Sequence, residues 1–285
     1  MTTRRSHFPG VVTWIVLFFF YVPIILLVVN SFNLNGAGTT WKGFTLKWYM
    51  QLFTSDEGRA IWRSLYITVV VGALATLGAT ILGTCAAFAL HRYKTTLQNL
   101  HYSLIYTPLV LPEILIGISL LIFFASIHLP LGMTSIVIAH ITFCVSYVTL
   151  AVLSRLQDFD MSVLEAARDL GASNWTTTWK VLVPIILPGI LAGALLAFTL
   201  SIDDFVITFL VNGPGATTLP IQIQGMIKRG RSMPLINSIS SILLAITFLA
   251  LLGSRLLMKK PKRKIAEAMV NSPTTTTFRN GRTRI

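Results

Sequence analysis

Residues 165–172 read Glu-Ala-Ala-Arg-Asp-Leu-Gly-Ala, a polar segment between two long apolar ones in a chain whose mean hydropathy is +0.72. Asp158 and Asp160 are placed to cap a helix starting near Met161, Ala166 and Ala167 give it a thin face, and Gly171 can end it in a left-handed turn. Ser173 or Asn174 can then cap a second short helix, which Pro184 is expected to stop. Two short helices at a sharp angle make a plug of fixed shape. Such a plug transmits force better than a slack loop, and its small Ala and Gly positions let a partner approach closely.

What lies on either side of this plug sets the class of the protein. Hydrophobic residues make up 54% of the 285 and charged residues only 12%, too little polar surface to cover a soluble globule. A membrane span needs about 20 apolar residues to cross about 30 Å of hydrocarbon. Six such runs can be read: Val11 to Phe32, Ser64 to Leu90, Tyr102 to Ile127, Thr134 to Leu153, Ile185 to Val211 and Leu235 to Leu257. The third and fourth share one apolar region in which Glu113 is the single acid or base between Thr95 and Ser154, split by the turn signal at His128–Gly132. The expected fold is an all-α membrane protein with six transmembrane helices in one domain, 11–257. It carries a loop at 154–184 between the fourth and fifth helices. An N-tail covers 1–10, and a basic, low-hydrophobicity C-tail covers 258–285.

Arg4 and Arg5 before the first run imitate a signal peptide, but the run is longer than a signal core and is read as an uncleaved span. With six spans both termini share one side. Placing them in the cytoplasm puts 16 of the 23 basic residues there, so the 154–184 loop is expected to be cytoplasmic too. The net charge of +13 sits beside spans and in Lys259–Lys264, where anionic headgroups are the nearer partner than nucleic acid. Cys85 and Cys144 lie within spans and are read as small hydrophobes, without a disulfide or metal framework. His140, deep in the fourth span, reads as a helix-to-helix hydrogen bond. No G-x-x-x-x-G-K-[ST] stretch occurs, so any ATP hydrolysis has to come from another polypeptide.

Three acids fall inside spans, where a carboxylate facing lipid at mid-depth costs about 2.5–3.5 kcal/mol. Asp203 and Asp204 sit in the fifth run, about 100° apart if that run is one helix. One is expected to line an interior path and the other to pair with a neighbouring helix or sit near the outer mouth. The alternative for both is buried bonding to Ser, Thr or His140. Glu113 follows Pro112 in the third run, where Pro108 and Pro112 free backbone carbonyls. Acids on two helices favour ammonium groups over anions, and Phe198 and Phe205 nearby can contact methylenes and cationic groups. An intramembrane aspartyl protease is disfavoured because no Gly-x-Gly-Asp surrounds either aspartate. An ion-coupled carrier could use the same acids, but it leaves the 154–184 loop without a purpose.

Glu165-Ala166-Ala167, three residues, Gly171, nine residues, then Val181-x-Val183-Pro184 resembles the EAA loop of binding-protein-dependent ABC importer permeases, with Val181 and Val183 in place of Ile and Leu. The runs Asn30–Asn33, Trp41–Tyr49, His140–Cys144, Arg155–Ala172, Phe198–Phe205, Gly213-Pro214 and Thr218–Pro220 are similar to the permeases of spermidine/putrescine importers, the second permease more than the first. The resemblance covers about Trp14 to Leu257. It implies a type I importer permease fold, a site in the bacterial cytoplasmic membrane, and an ATPase-coupling role for Glu165, Ala166, Ala167, Asp169 and Gly171. It also implies a second permease, two copies of a cytoplasmic ATPase that hold the ATP and Mg, and an extracytoplasmic polyamine-binding protein. This chain is expected to bind no cofactor itself. Relatives carrying thiamine, ferric ion or other small solutes share the scaffold. The segment Thr217 to Met233 is expected to help dock the receptor.

Overall fold

A computed structural model describes residues 8–36, 40–157, 159–160, 162–230 and 233–257. The basic C-tail, the first seven residues, Asp158 and Met161 lie outside the described residues. Five helices are long and apolar enough to cross a membrane: Gly10–Asn30, Asp56–Arg92, Met133–Gln157, Asn174–Asp203 and Met233–Gly253. In chain order the helices are α1 (Phe8–Asn30), α2 (Lys47–Thr54), α3 (Asp56–Arg92), α4 (Gln98–Val110), α5 (Glu113–Ser126), α6 (Met133–Gln157), α7 (Ser162–Asp169) and α8 (Asn174–Thr176). They continue with α9 (Val183–Asp203), α10 (Val206–Val211), α11 (Leu219–Lys228) and α12 (Met233–Leu257). The only extended pairing among the described residues is the bridge between Asn33 and Phe44.

Two expectations need correction. The third apolar run is two helices, α4 and α5, bent by 110° at their junction. Pro112 cannot donate a backbone hydrogen bond, Leu111 before it is forced into extended backbone (φ −70°, ψ 137°), and the chain turns. The fifth run is also interrupted: α9 ends at Asp203, and Asp204 and Phe205 separate it from α10. By their packing, residues 32–236 make one compact unit, and the described residues among 1–31 and 237–257 make another. None of the residues in the most apolar window of α1 is buried, so its surface is available to lipid instead of to a shared core.

Within the 32–236 unit, α3, α6 and α9 form the core. Val71 and Ala79 of α3 meet Ala139, Cys144, Val148 and Val152 of α6 and Ile186 and Ala197 of α9, all essentially buried. Lipid is as apolar as leucine, so helices in a bilayer associate by close packing and hydrogen bonds, and small residues let backbones approach. Gly83 shows how tight the seam is. A Cβ there would lie 2.7 Å from Val148 Cβ and 3.1 Å from the Thr149 nitrogen. The expected turn at His128–Gly132 is present, with His128 at φ +56° and the Ser135 hydroxyl bonded to both Gly132 O and Val211 O, each at 2.8 Å.

Gly83→Val should therefore destabilise the helical core by about 1–3 kcal/mol, read as a lowered thermal midpoint and monodisperse fraction in detergent. Gly253→Ala, where an added Cβ meets nothing within 4 Å, should leave both unchanged.

Candidate functional site

The segment that opened the sequence reading folds as a capped knob. Asp160 Oδ1 accepts the Ser162 N–H at 2.9 Å and starts α7. The backbone and hydroxyl of Ser162 hold the Asp160 carboxyl below its usual range. At the other end Gly171 takes φ +86°, its N–H donates to Arg168 O (2.8 Å), and the Ala172 N–H donates to Ala167 O (3.0 Å). This is a Schellman closure, which requires a residue at ease in the left-handed region. Leu164 anchors the helix, 5% exposed, while Glu165, Ala166, Arg168 and Asp169 face outward and Ala167 is half-buried. Leu170, 89% exposed, and Trp175, 73% exposed, extend that open surface.

The second part of the loop departs from expectation. Ser173 does cap a helix, its Oγ accepting from the Thr176 N–H at 3.2 Å. Pro184 does not stop it. Asn174–Asp203 runs as one continuous helix in which Thr177–Leu182 is a π turn. The Val183 N–H reaches back five residues to Thr178 O, and the wider turn absorbs the bond that Pro184 cannot make. The knob is thus one helix, α7, followed through residues 170–173 by a core helix that runs unbroken from Asn174 to Asp203. No break separates α8 from α9 along that helix.

The interrupted fifth span forms the second candidate region. Asp204, freed from the helix, caps the next one: Oδ1 accepts from the Ile207 N–H (3.3 Å) and Oδ2 from the Thr208 N–H (2.8 Å) and the Thr208 hydroxyl (2.6 Å). His140 of α6 completes the cluster, with Nε2 at 2.8 Å from Thr208 Oγ1 and 3.3 Å from Asp204 Oδ2, and Nδ1 at 2.6 Å from Ser201 Oγ. Thr208 has one hydroxyl proton and gives it to the carboxylate, so its oxygen accepts from Nε2–H. All four residues are buried. The carboxylate oxygens of Asp204 are engaged inside the protein, in the arrangement expected of helix-joining bonds.

Asp203 stands apart. It is exposed, and among the described residues neither it nor Glu113 makes a hydrogen bond or ion pair. Glu113 is exposed at the first turn of α5, at the 110° bend. Phe198 is half-buried and packs toward Gly72 of α3, where an added Cβ would come within 3.3 Å of its ring. Phe205 stacks on Phe209 at 5.5 Å, and Lys228 Nζ lies 6.0 Å from the Phe209 ring. Thr208 and Ser201 escaped the sequence reading. The signal was Asp204 with Thr208 four residues on, a helix-capping spacing inside a run read as already helical.

The chain is similar to known proteins over most of its length. The family of binding-protein-dependent transport system inner membrane components matches residues 79–262. The spermidine/putrescine transport system permease protein PotC of Escherichia coli (strain K12) is 37% identical over 241 residues, covering 85% of this chain and 90% of that protein. The putrescine transport system permease protein PotI of the same strain is 35% identical over 271 residues, covering 92% and 95%. Among solved structures, a bacterial ABC transporter involved in import of the acidic polysaccharide alginate shares the fold with a TM-score of 0.69 at 15% identity, over 91% of this chain and 99% of that one. The alginate transporter in complex with its pentasaccharide-bound periplasmic protein gives 0.63 at 15% identity, over 89% and 95%.

Removing the buried network and removing the exposed acid should separate cleanly. Asp204→Ala should cost on the order of 3 kcal/mol and Asp203→Ala less than about 0.5 kcal/mol, read by tryptophan fluorescence during thermal unfolding of the purified protein. Equal losses would show that Asp204 holds no structural bond worth more than a surface contact. With its six apolar segments, its capped α7 knob and a family match across residues 79–262, the chain belongs to the binding-protein-dependent transport system inner membrane component family.

Proposed function

We propose that this chain is one of two membrane-spanning subunits of an ATP-driven importer that carries polyamines, spermidine or putrescine, across the bacterial cytoplasmic membrane. The observation that carries the substrate class is the 37% identity, over 90% of its length, to a protein named for spermidine/putrescine transport. The two acids without partners support it. Asp203 and Glu113 are exposed on the surface of this subunit, and a span's carboxylate is costly against lipid. Both therefore face water or a second permease in the assembled transporter. There they offer weak, separated acceptors for ammonium groups, and a soluble receptor supplies the tight binding.

Both termini and α7 lie on the cytoplasmic side in this reading. Two copies of a separate ATPase bind ATP and Mg and grip α7 through Glu165, Ala166, Ala167, Asp169 and Gly171. Closure of the ATPases moves α7, the π turn and α9 follow as one rod, and the corridor switches from outward to inward access. This chain supplies position and path, and its partner supplies the hydrolysis.

Glu165→Lys or Gly171→Val should lower polyamine uptake at least tenfold with the permease still inserted, because the first reverses charge on the gripped face and the second strains a φ of +86°. Asp203→Asn should raise the concentration of spermidine at half-maximal uptake. Competition of labelled spermidine uptake in cells carrying the whole transporter checks the cargo. Putrescine should compete, whereas competition by thiamine or ferric ion alone would replace polyamine as the substrate. Uptake into vesicles that persists without ATP would point instead to an ion-coupled carrier.

A further inference from the structure

Between α3 and the start of α11 lies a polar cavity of about 160 Å³ that none of the roles above uses. Its scaffold is fixed. The Thr68 hydroxyl donates to Ser64 O at 2.9 Å and accepts from the Leu219 N–H at 2.8 Å, which docks the first residue of α11 on α3. Thr218, the N-cap of α11, makes no side-chain cap bond, and its buried hydroxyl has no partner among the described residues. A capping threonine ordinarily accepts from the second or third N–H of its helix. Pro220 has no N–H, so Ile221 carries the donor left without that acceptor.

The polar groups around the cavity are unsatisfied. Ser64 lines it at 4% exposure, and its hydroxyl has no partner among the described residues. A buried polar group without a bond is costly, and a ligand that accepts from it removes that cost. Thr217 and Gln222 are half-buried in the same wall, again with no side-chain bond among the described residues. Arg63 completes the lining. It is exposed and pairs with no acid among the described residues, whereas Arg59, one turn away, is tied to Asp56. The lining itself contains no acid.

Charge decides the sign of the ligand and depth its class. A free guanidinium beside the positive end of the α11 dipole attracts an anion and repels ammonium cargo. The apolar part of α3, Ser64 to Leu90, is about 40 Å long at a rise of about 1.5 Å per residue. Hydrocarbon is about 30 Å thick, and the headgroups extend a bilayer to about 40–45 Å. Ser64, the first residue of that part, therefore stands in the headgroup layer. Trp62 and the exposed Tyr66 mark the same level, as aromatic residues do at a membrane surface. The anionic group of that layer is a phosphate, which a guanidinium meets through two parallel N–H···O bonds.

We propose that Arg63, Ser64, Thr217 and Gln222, at the N-terminus of α11, bind a phosphate group, carried either by a phospholipid of the adjoining leaflet or by free inorganic phosphate. Arg63 supplies the charge, and the two hydroxyls and the amide donate to the remaining oxygens. Held there, the phosphate ties the first turn of α11 to α3. The site requires only that α3 crosses the membrane, and it stands whichever solute the transporter carries.

The test uses the complete transporter, purified in detergent and free of nucleotide. Short-chain phosphatidylglycerol retained by the protein is counted by native mass spectrometry, and radiolabelled inorganic phosphate is measured by equilibrium dialysis. Arg63→Gln should weaken binding of the phosphate group at least about tenfold and Ser64→Ala about fivefold, while Arg59→Gln leaves it unchanged. Gln222→Ala, on the opposite wall, should show a loss like that of Ser64→Ala and serves in place of Arg63→Gln if that variant lowers the thermal midpoint of the ligand-free protein. Losses confined to the lipid assign the site to a headgroup, and losses confined to inorganic phosphate assign it to the free anion. Equal affinity in wild type and in the variants of the cavity would overturn the proposal. So would an equal loss in Arg59→Gln, which reads as diffuse surface charge, or equal retention of a diacylglycerol that has no phosphate.

Discussion

Inside a bilayer no water is available to satisfy a backbone group that loses its helical partner, so each interruption of a span has to be repaired by the protein. The break at Asp204 and Phe205 is repaired by a carboxylate that takes over the first N–H groups of α10, and His140 of α6 then closes on that carboxylate and on Thr208. One small cluster does two things. It closes the gap between α9 and α10, and it fastens that end to α6, a second helix of the core. The 110° bend between α4 and α5 is the other interruption, and it leaves Glu113 exposed at the turn.

This arrangement explains why neighbouring aspartates have different surroundings. Had the fifth run been a single helix, Asp203 and Asp204 would have shared it at an angle of about 100°, each half committed to the core. Because the helix stops between them, Asp204 turns wholly inward and Asp203 remains at the open end of α9. A buried acid without partners of its own would be too costly to keep, and an acid whose two oxygens are both bonded inside the protein is a poor acceptor for cargo. The break assigns one carboxylate to the scaffold and leaves the other available.

Much of this was legible from residues alone. Hydropathy counted the spans, and the Asp160, Gly171 and Ser173 signals placed the ends of the knob, because caps and left-handed turns are local chemistry with few alternatives. The failures share one cause. Pro112, Pro184 and Asp204 sit in runs of uniform hydrophobicity, and whether such a residue bends, widens or breaks a helix depends on what packs beside it. Pro112 met extended backbone and bent the chain. Pro184 followed a π turn and did not interrupt the helix at all. Asp204 found Thr208 and His140 and ended one. Hydropathy gives the same value to all three outcomes. Burial was equally hidden, since α1 is as apolar as the buried helices while burying none of its most apolar window.

The π turn gives the knob its mechanical consequence. A helix that ended at Pro184 would have left α7 on a hinge, and motion at the loop would have dissipated there. The wider turn instead keeps Asn174–Asp203 continuous, so one rod of 30 residues runs from the cap at Ser173 to the exposed acid at its far end, Asp203, about 45 Å long. In the proposed mechanism, a push on the loop end of this helix is carried along it to the level of Asp203. π turns are weaker per residue than α turns and persist where function holds them. Here the gain is a stiff connection through a proline, in the one helix that links the loop to the interrupted span.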